Sequence, residues 1–336
     1  MKSKTKFLLM IMVFILILTL SGCKYSNVQA NDERVNSNSK ENSIRGKEGD
    51  NKNSDIMKDF RNMVENNNEP VDLINYIDEN IEKVLPEERV EMIEKLELIQ
   101  EKYIEKYASE LFADDYQAEL LSLSEIPQLR SQSKEDIKEY LFFNEANVEK
   151  ITNDNLKELI SKIIQGKYRL INLEGAFYPI IDYEALKVYD KYISDELKDY
   201  IDIKAMDSNE PTIIDGSLMI SFDELAERLM AVENYIKKHS EGIRCEELLR
   251  LYGTYLIFYL EGADNTPIYD EETYKIKDEV LSSYKKTMKS KDTVLSYIIG
   301  KYMNIIEENQ FIIDEDIISQ ITVLHNEAIA KLEECK

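Results

Sequence analysis

Two stretches of this chain place carboxylates around a glycine and a proline in the same order. Leu-Glu-Gly-Ala occurs from Leu173 and again from Leu260, and Pro-Ile-x-Asp follows at Pro179 and Pro267. With one residue of slack, ten of twenty-one positions agree, at an offset of 87 or 88. The chemistry such side chains could do is cation or ligand binding, by Glu174 and Asp182 in the first copy and by Glu261, Asp264 and Asp270 in the second. Calcium takes six or more oxygens, and no Asp-x-Asp-x-Asp-Gly loop occurs, so no metal is assigned. The alternative is a salt bridge from each Glu to Lys187 or Lys275. Either partner would offset the position of Glu174 and Glu261, which read as lying at a helix C-terminus. A carboxylate there is disfavoured by about 0.3–1 kcal/mol. The first copy also gathers Phe177, Tyr178, Tyr183, Tyr189 and Tyr192. Such aromatics suit a surface on which carbohydrate or peptide stacks, with core packing as the competing role.

Other reactive side chains are sparse. His239 lies in Lys-Lys-His-Ser and His325 follows Val323 and Leu324. Neither belongs to an H-E-x-x-H, G-x-S-x-G or Cys–His pattern, and there is no phosphate-binding glycine loop. The 66 acidic residues offer so many carboxylate pairs that none is diagnostic of a hydrolase. The sequence therefore leads to no catalytic residue and no cofactor. Besides Cys23, only Cys245 and Cys335 remain, too few and too distant for a disulfide framework or zinc motif. They are expected as free thiols or at most one bridge. With 42 basic against 66 acidic residues the net charge is −24. This argues against nucleic-acid binding, which needs clustered cations to displace counterions. It leaves cations, cationic peptides and amphipathic molecules as partners.

The elements that must position these residues read as helices. Pro86 with Glu87 and Glu88 opens a run in which Met92, Leu96, Ile99, Tyr103, Tyr107 and Leu111 share one face. Ser221 and Glu224 hold capping-box positions ahead of Leu225, Leu229, Val232 and Ile236. Similar spacing predicts helices near 70–84, 133–149, 153–173, 182–205, 243–261, 270–289, 292–309 and 314–334, and only 211–220 reads as extended chain. The predicted fold class is all-α. The repeat extends outward, with Glu135–Phe142 on Asp223–Met230 and Gly166–Ala176 on Gly253–Ala263. It predicts two similar helical lobes from an internal duplication: residues 56–220, with a repeat over 133–220, and residues 221–336, with a repeat over 221–310. The shared stretch then becomes a helix–corner–helix unit. Gly175 and Gly262 serve as left-handed caps, Pro179 and Pro267 as stops, and Asp182 and Asp270 as N-caps. Lys187–Asp190 and Lys275–Asp278 are placed for helix-surface ion pairs.

The N-terminus carries a different signal. Lys2, Lys4 and Lys6 precede an uncharged apolar run from Phe7 to Leu20, which ends in Leu20-Ser21-Gly22-Cys23. The run is shorter than the roughly 20 residues of a spanning helix and suits a signal-peptide core. The motif resembles the lipobox of bacterial lipoproteins. The resemblance implies a signal peptide over 1–22, cleavage before Cys23, and a diacylglycerol on its thiol. Residues 24–55 are rich in Asn, Ser, Lys and Glu without apolar period, which predicts a flexible tether. The Lys-, Ile-, Asn- and Glu-heavy composition is that of a low-GC Gram-positive source, and is loosely similar to clostridial biofilm-associated surface lipoproteins. The expectation is a lipid-anchored protein on the outer face of the cytoplasmic membrane, extending into the cell wall. Its non-catalytic ectodomain would engage an envelope protein, the matrix or further copies of itself. The alternatives are a binder of an amphipathic small molecule between helices, and a carboxylate-based hydrolase.

Overall fold

The computed structural model describes residues 47–124 and 140–334, with side chains from residue 55 onward. The lipobox, the proposed tether to residue 46, the start of the first repeat and Cys335 lie outside the described residues. The chain divides after Arg61 into two compact units, the second being Asn62–Lys336. Helix α1 (Lys47–Glu65) crosses that division.

Within the second unit the chain is mostly helical, as its periodicity implies. Helix α2 (Pro70–Asn80) starts on proline, whose missing N–H costs nothing in a first turn. Helix α3 (Pro86–Leu111) does the same, and the Glu88 carboxylate accepts from the Leu85 N–H at 2.9 Å. After α4 (Tyr116–Leu123), helix α5 (Asp154–Gln165) begins at Asn153, whose side chain accepts from the Asn155 and Leu156 N–H groups. Further on come α6 (Tyr183–Leu186), α7 (Asp195–Asn209), α8 (Phe222–Lys238), α9 (Cys245–Glu261), α10 (Asp278–Thr287), α11 (Val294–Glu308) and α12 (Glu315–Glu333). Ser221 caps α8 through the Glu224 N–H, as its position predicts.

Helix α3 packs on α2, α5 and the hairpin, while α8 packs on α7, α9, α10, α11 and α12. Tyr259, Tyr284 and Tyr302 are buried where α9, α10 and α11 meet, and their hydroxyls are bonded there. Tyr284 donates to the Tyr259 carbonyl at 2.6 Å, Tyr302 to the Leu260 carbonyl at 3.1 Å, and the Tyr259 hydroxyl lies 2.8 Å from both Ser283 and Thr287.

Among the described residues three short antiparallel ribbons interrupt the helices. Only β3 (Ile213–Ile214) with β4 (Ser217–Leu218) falls where extended chain was predicted. The predicted helix over 153–173 is a correction. It stops at Gln165; Gly166 and Lys167 turn the chain, with Lys167 at φ 57, and β1 (Tyr168–Leu173) pairs with β2 (Ala176–Ile181). Gly175 is therefore the second residue of a hairpin turn rather than a helix cap. Glu174 and Gly175 both have positive φ, 51 and 78, as a tight turn between twisted strands favours. Residues 141–143 bond to the other side of β1, through Phe143 N–H to Leu170 O at 2.9 Å and Asn172 N–H to Leu141 O at 2.7 Å. The outer side of β2 meets a side chain. The Gln117 amide accepts from the Phe177 N–H at 2.8 Å and donates to the Phe177 carbonyl at 3.0 Å.

The second copy folds otherwise. Gly253 to Glu261 is helical, Gly262 ends α9, and β5 (Gly262–Ala263) pairs with β6 (Thr266–Pro267). The two matching sequences thus take different secondary structure over the stretch before their shared glycine, and the duplicated helix–corner–helix unit is overturned. Of the helix predicted over 133–149, the described part from residue 140 holds a β-bridge at Phe142 and a 3-10 helix over Glu145–Lys150. Two further predicted helices are shorter than their periodicity suggests. The helix predicted over 182–205 divides into α6, a 3-10 turn over Lys187–Tyr189 and α7. The one predicted over 270–289 begins only at Asp278.

Candidate functional site

The carboxylates singled out in the sequence do not converge. Among the described residues no group of three His, Cys, Asp or Glu side chains could hold a metal. Glu174 is exposed on the hairpin turn, and Glu261, Asp264 and Asp270 are exposed. Asp182 caps α6 through the Ala185 N–H, as predicted. Asp270 instead closes a turn, accepting from the Thr273 N–H at 2.9 Å and hydroxyl at 2.8 Å. The predicted bridge from Glu174 to Lys187 does not form, nor does the Lys187–Asp190 pair. Lys187 lies 3.0 Å from both Glu184 and Asp202.

The predicted aromatic surface is also corrected. Phe177, Tyr183 and Tyr189 are buried, at 0%, 6% and 2% exposure. Of the five only Tyr178 and Tyr192 reach the surface in part; Tyr178 rests against Phe112 at 5.2 Å between ring centroids, and Tyr192 bonds Glu82. The buried tyrosines direct their hydroxyls to acidic partners. Tyr189 donates to Asp78 at 2.8 Å and Tyr183 to Glu97 at 2.7 Å.

The second of these bonds leads to the densest charge constellation described. Glu97 projects from the middle of α3 and is 4% exposed. One oxygen accepts from Tyr183 of α6 and, at 2.8 Å, from Tyr200 of α7; the other pairs with Arg244, which immediately precedes α9. Tyr200 also donates to Glu247 of α9 at 3.0 Å, and Glu247 holds Lys204 of α7 at 3.0 Å. The guanidinium of Arg244 lies 4.6 Å from the Tyr200 ring centroid, a cation–π distance. These residues form a polar seam that ties α3 to α6, α7 and α9.

The seam's electrostatics follow from burial and pairing. Burial alone would raise the Glu247 pKa, but Lys204 and Arg244 outweigh it and hold the group below the ordinary carboxylate value. Burial likewise opposes charge on Lys204 and Arg244, and the attraction of Glu247 and Glu97 overrides it, so both stay charged. Glu101, one turn beyond Glu97 on α3, has no hydrogen-bond or ion-pair partner among the described residues. Burial, reinforced by Glu97 and Glu247 against the opposing pull of Lys204 and Arg244, pushes its carboxyl up to about 7. Burial also raises Glu94, with Glu97 and Glu196 adding to it against Arg244.

A carboxyl near neutrality is a group that general acid–base catalysis uses. Here it adjoins partners already engaged with one another, and it borders neither of two clefts formed by the described residues. One cleft, of about 430 Å³, is bordered by Asp78, Lys167, Tyr168 and Asp182. Burial lowers the Lys167 pKa against the pull of Asp78 and Asp182, and its amine donates to the Ala185 carbonyl at 3.1 Å. The other cleft, of about 480 Å³, is bordered by Asp114, Asp115, Glu119 and Thr152. Glu119 is occupied there, accepting from the Thr152 N–H at 2.6 Å and hydroxyl at 2.8 Å. Cys245 is buried, and its Sγ donates to the His239 carbonyl at 2.8 Å.

Sequence reasoning found Tyr183 but missed Glu97, Glu101, Lys204, Arg244 and Glu247. A usable signal existed: Glu94, Glu97 and Glu101 form an i, i+3, i+7 row on a helix otherwise read for its apolar face. Among the described residues no helix is long and apolar enough to cross a membrane. No family model matches the chain, and neither the curated proteins nor the solved structures include a significant match to it.

Proposed function

We propose that this chain is a surface lipoprotein of a Gram-positive bacterium, anchored through a lipid on Cys23. Its helical body is non-catalytic and serves envelope or matrix contacts, or self-association of a biofilm type. The observation that carries the proposal is the sequence order Lys2–Lys6, Phe7–Leu20, Leu20-Ser21-Gly22-Cys23, set ahead of a polar segment and an acidic body. The non-catalytic reading is supported by the seam, in which Glu97 is paired with Arg244 and Glu247 with Lys204. A binder of an amphipathic molecule between helices is the weaker reading, because charged and polar side chains border both clefts.

The test is metabolic labelling with an alkyne fatty acid in a Gram-positive host expressing the full chain. The wild type should take up label, fractionate with membranes and be accessible on intact cells, and Cys23→Ser should lose the label and the membrane association. Unlabelled wild-type protein, or equal labelling of both, would refute the anchor. Self-association is tested separately by cross-linking on those cells, where a monomer at high surface density would remove it.

A further inference from the structure

We infer that the polar seam is a proton-operated latch, in which uptake of a proton at Glu101 draws α3 against α7 and α9 and its release loosens that contact. The geometry carries this in two ways. First, α3 packs closely on α2, α5 and β2, whereas its tie to α7 and α9 runs through the long polar side chains of Glu97, Tyr200 and Arg244. That tie can lengthen while the apolar packing on the other side of α3 persists. Second, carboxylates outnumber cations in the seam. Arg244 and Lys204 are engaged by Glu97 and Glu247, which leaves Glu101 without a cation of its own.

The groups facing Glu101 are Glu97 on its own helix, Lys204 on α7, Arg244 and Glu247 at the start of α9, Tyr183 on α6 and Tyr168 on β1, with Tyr200 of α7 joining them through its bond to Glu97. Arg244 and Lys204 stay charged near neutral pH, and burial keeps the three tyrosines neutral. Glu247, held low by Lys204 and Arg244, protonates only below the ordinary carboxylate range. Glu101, raised to about 7, changes its charge between pH 5 and 8, and burial shifts Glu94 upward as well.

The sign follows by linkage. A carboxyl whose pKa is higher in the closed state than in the open state makes closure bind protons. Closure is then favoured in acid and weakened as pH rises from the ordinary 4.5 through about 7. The full difference corresponds to about 300-fold in the closed-to-open ratio, and screening by solvent at this partly exposed group reduces the expected change to roughly 10–100-fold.

The test is hydrogen exchange by mass spectrometry on the full chain in detergent at pH 5.5 and 8, with rates corrected for intrinsic chemistry. Peptides from the middle of α3 and from α7 around Tyr200 should lose up to about 30-fold of their protection at the higher pH, the part of the change that falls between these two pH values. Peptides from α11 should change little. Glu101→Gln keeps the shape of the protonated form and should hold high seam protection at both pH values, within about 3-fold. Glu101→Leu gives the same reading if the amide disturbs folding. A wild-type seam whose protection is independent of pH, or a Glu101→Gln seam that keeps the wild-type dependence, would overturn the latch.

Discussion

The matched glycines offer a test of how one sequence pattern acquires two meanings. Gly262 sits at φ 92, ψ −169, a region open almost only to glycine. A Cβ added there would lie 2.8 Å from the Pro267 Cα and 2.9 Å from the Ile268 N, and closer still to the Thr266 carbonyl oxygen. All three are backbone atoms of the ribbon that follows, so relief requires the ribbon to move. Backbone strain of about 1–3 kcal/mol and forced displacement of about 1–3 kcal/mol place the loss for Gly262→Ala at roughly 3–5 kcal/mol. Gly175 has φ 78 and meets nothing within 4 Å of an added Cβ. Its Ala variant bears only the left-handed penalty of about 1–2 kcal/mol, partly offset by a less flexible unfolded chain. Urea unfolding of both variants, followed by far-UV circular dichroism, should separate them by about 3 kcal/mol, or roughly 6–12 °C in midpoint temperature. Variants that agree within 1 kcal/mol would show that the two glycines do equivalent work and would refute the assignment of a turn to one and a crowded helix end to the other.

Further predictions concern buried charge. Arg244→Met leaves the Glu97 carboxylate with only tyrosine hydroxyls, and should cost about 2–4 kcal/mol at pH 7.5 by chemical denaturation. A deficit below about 1 kcal/mol would contradict the pairing. Glu233, fully buried in α8, accepts from the Val294 N–H at 2.6 Å and the Leu295 N–H at 3.0 Å, and so holds the start of α11. Glu233→Ala should cost about 2–4 kcal/mol and Glu233→Gln about half as much, with α11 amides losing exchange protection first. Equal exchange across α11 in both variants and the wild type would remove Glu233 as its anchor.

Helices were legible where three- and four-residue apolar spacing coincided with a start signal, as with Pro86–Leu111 and with Phe222–Lys238 behind Ser221. The hairpin was not, because Gly-Lys-Tyr-Arg-Leu-Ile-Asn-Leu aligns with a true helix in Gly253–Leu260. What decides the matter lies elsewhere in the chain. Residues 141–143 supply hydrogen bonds to one side of β1, while Gly253 tolerates the approach of His325, whose Nε2 would stand 2.7 Å from an added Cβ. Strand preference is set by such pairing more than by local propensity. The seam was hidden for a related reason. Glu97 and Arg244 stand 147 residues apart, and no local period links them. The acidic loops recur in the sequence, and in the fold Glu174, Glu261, Asp264 and Asp270 stand exposed at turns and at the end of α9.

The amide of Gln117 has a consequence for how copies of this protein could meet. An uncovered outer strand is a template onto which another chain can add, since its N–H and C=O groups seek partners. Along β2 the Phe177 groups are answered by that single side chain, and Pro179 has no N–H to offer. Strand-on-strand accretion along this edge is thereby blocked. Contacts between copies made through helix side chains would differ in kind, since charge and salt can reverse them, whereas hydrogen-bonded strand growth makes fibrils permanent.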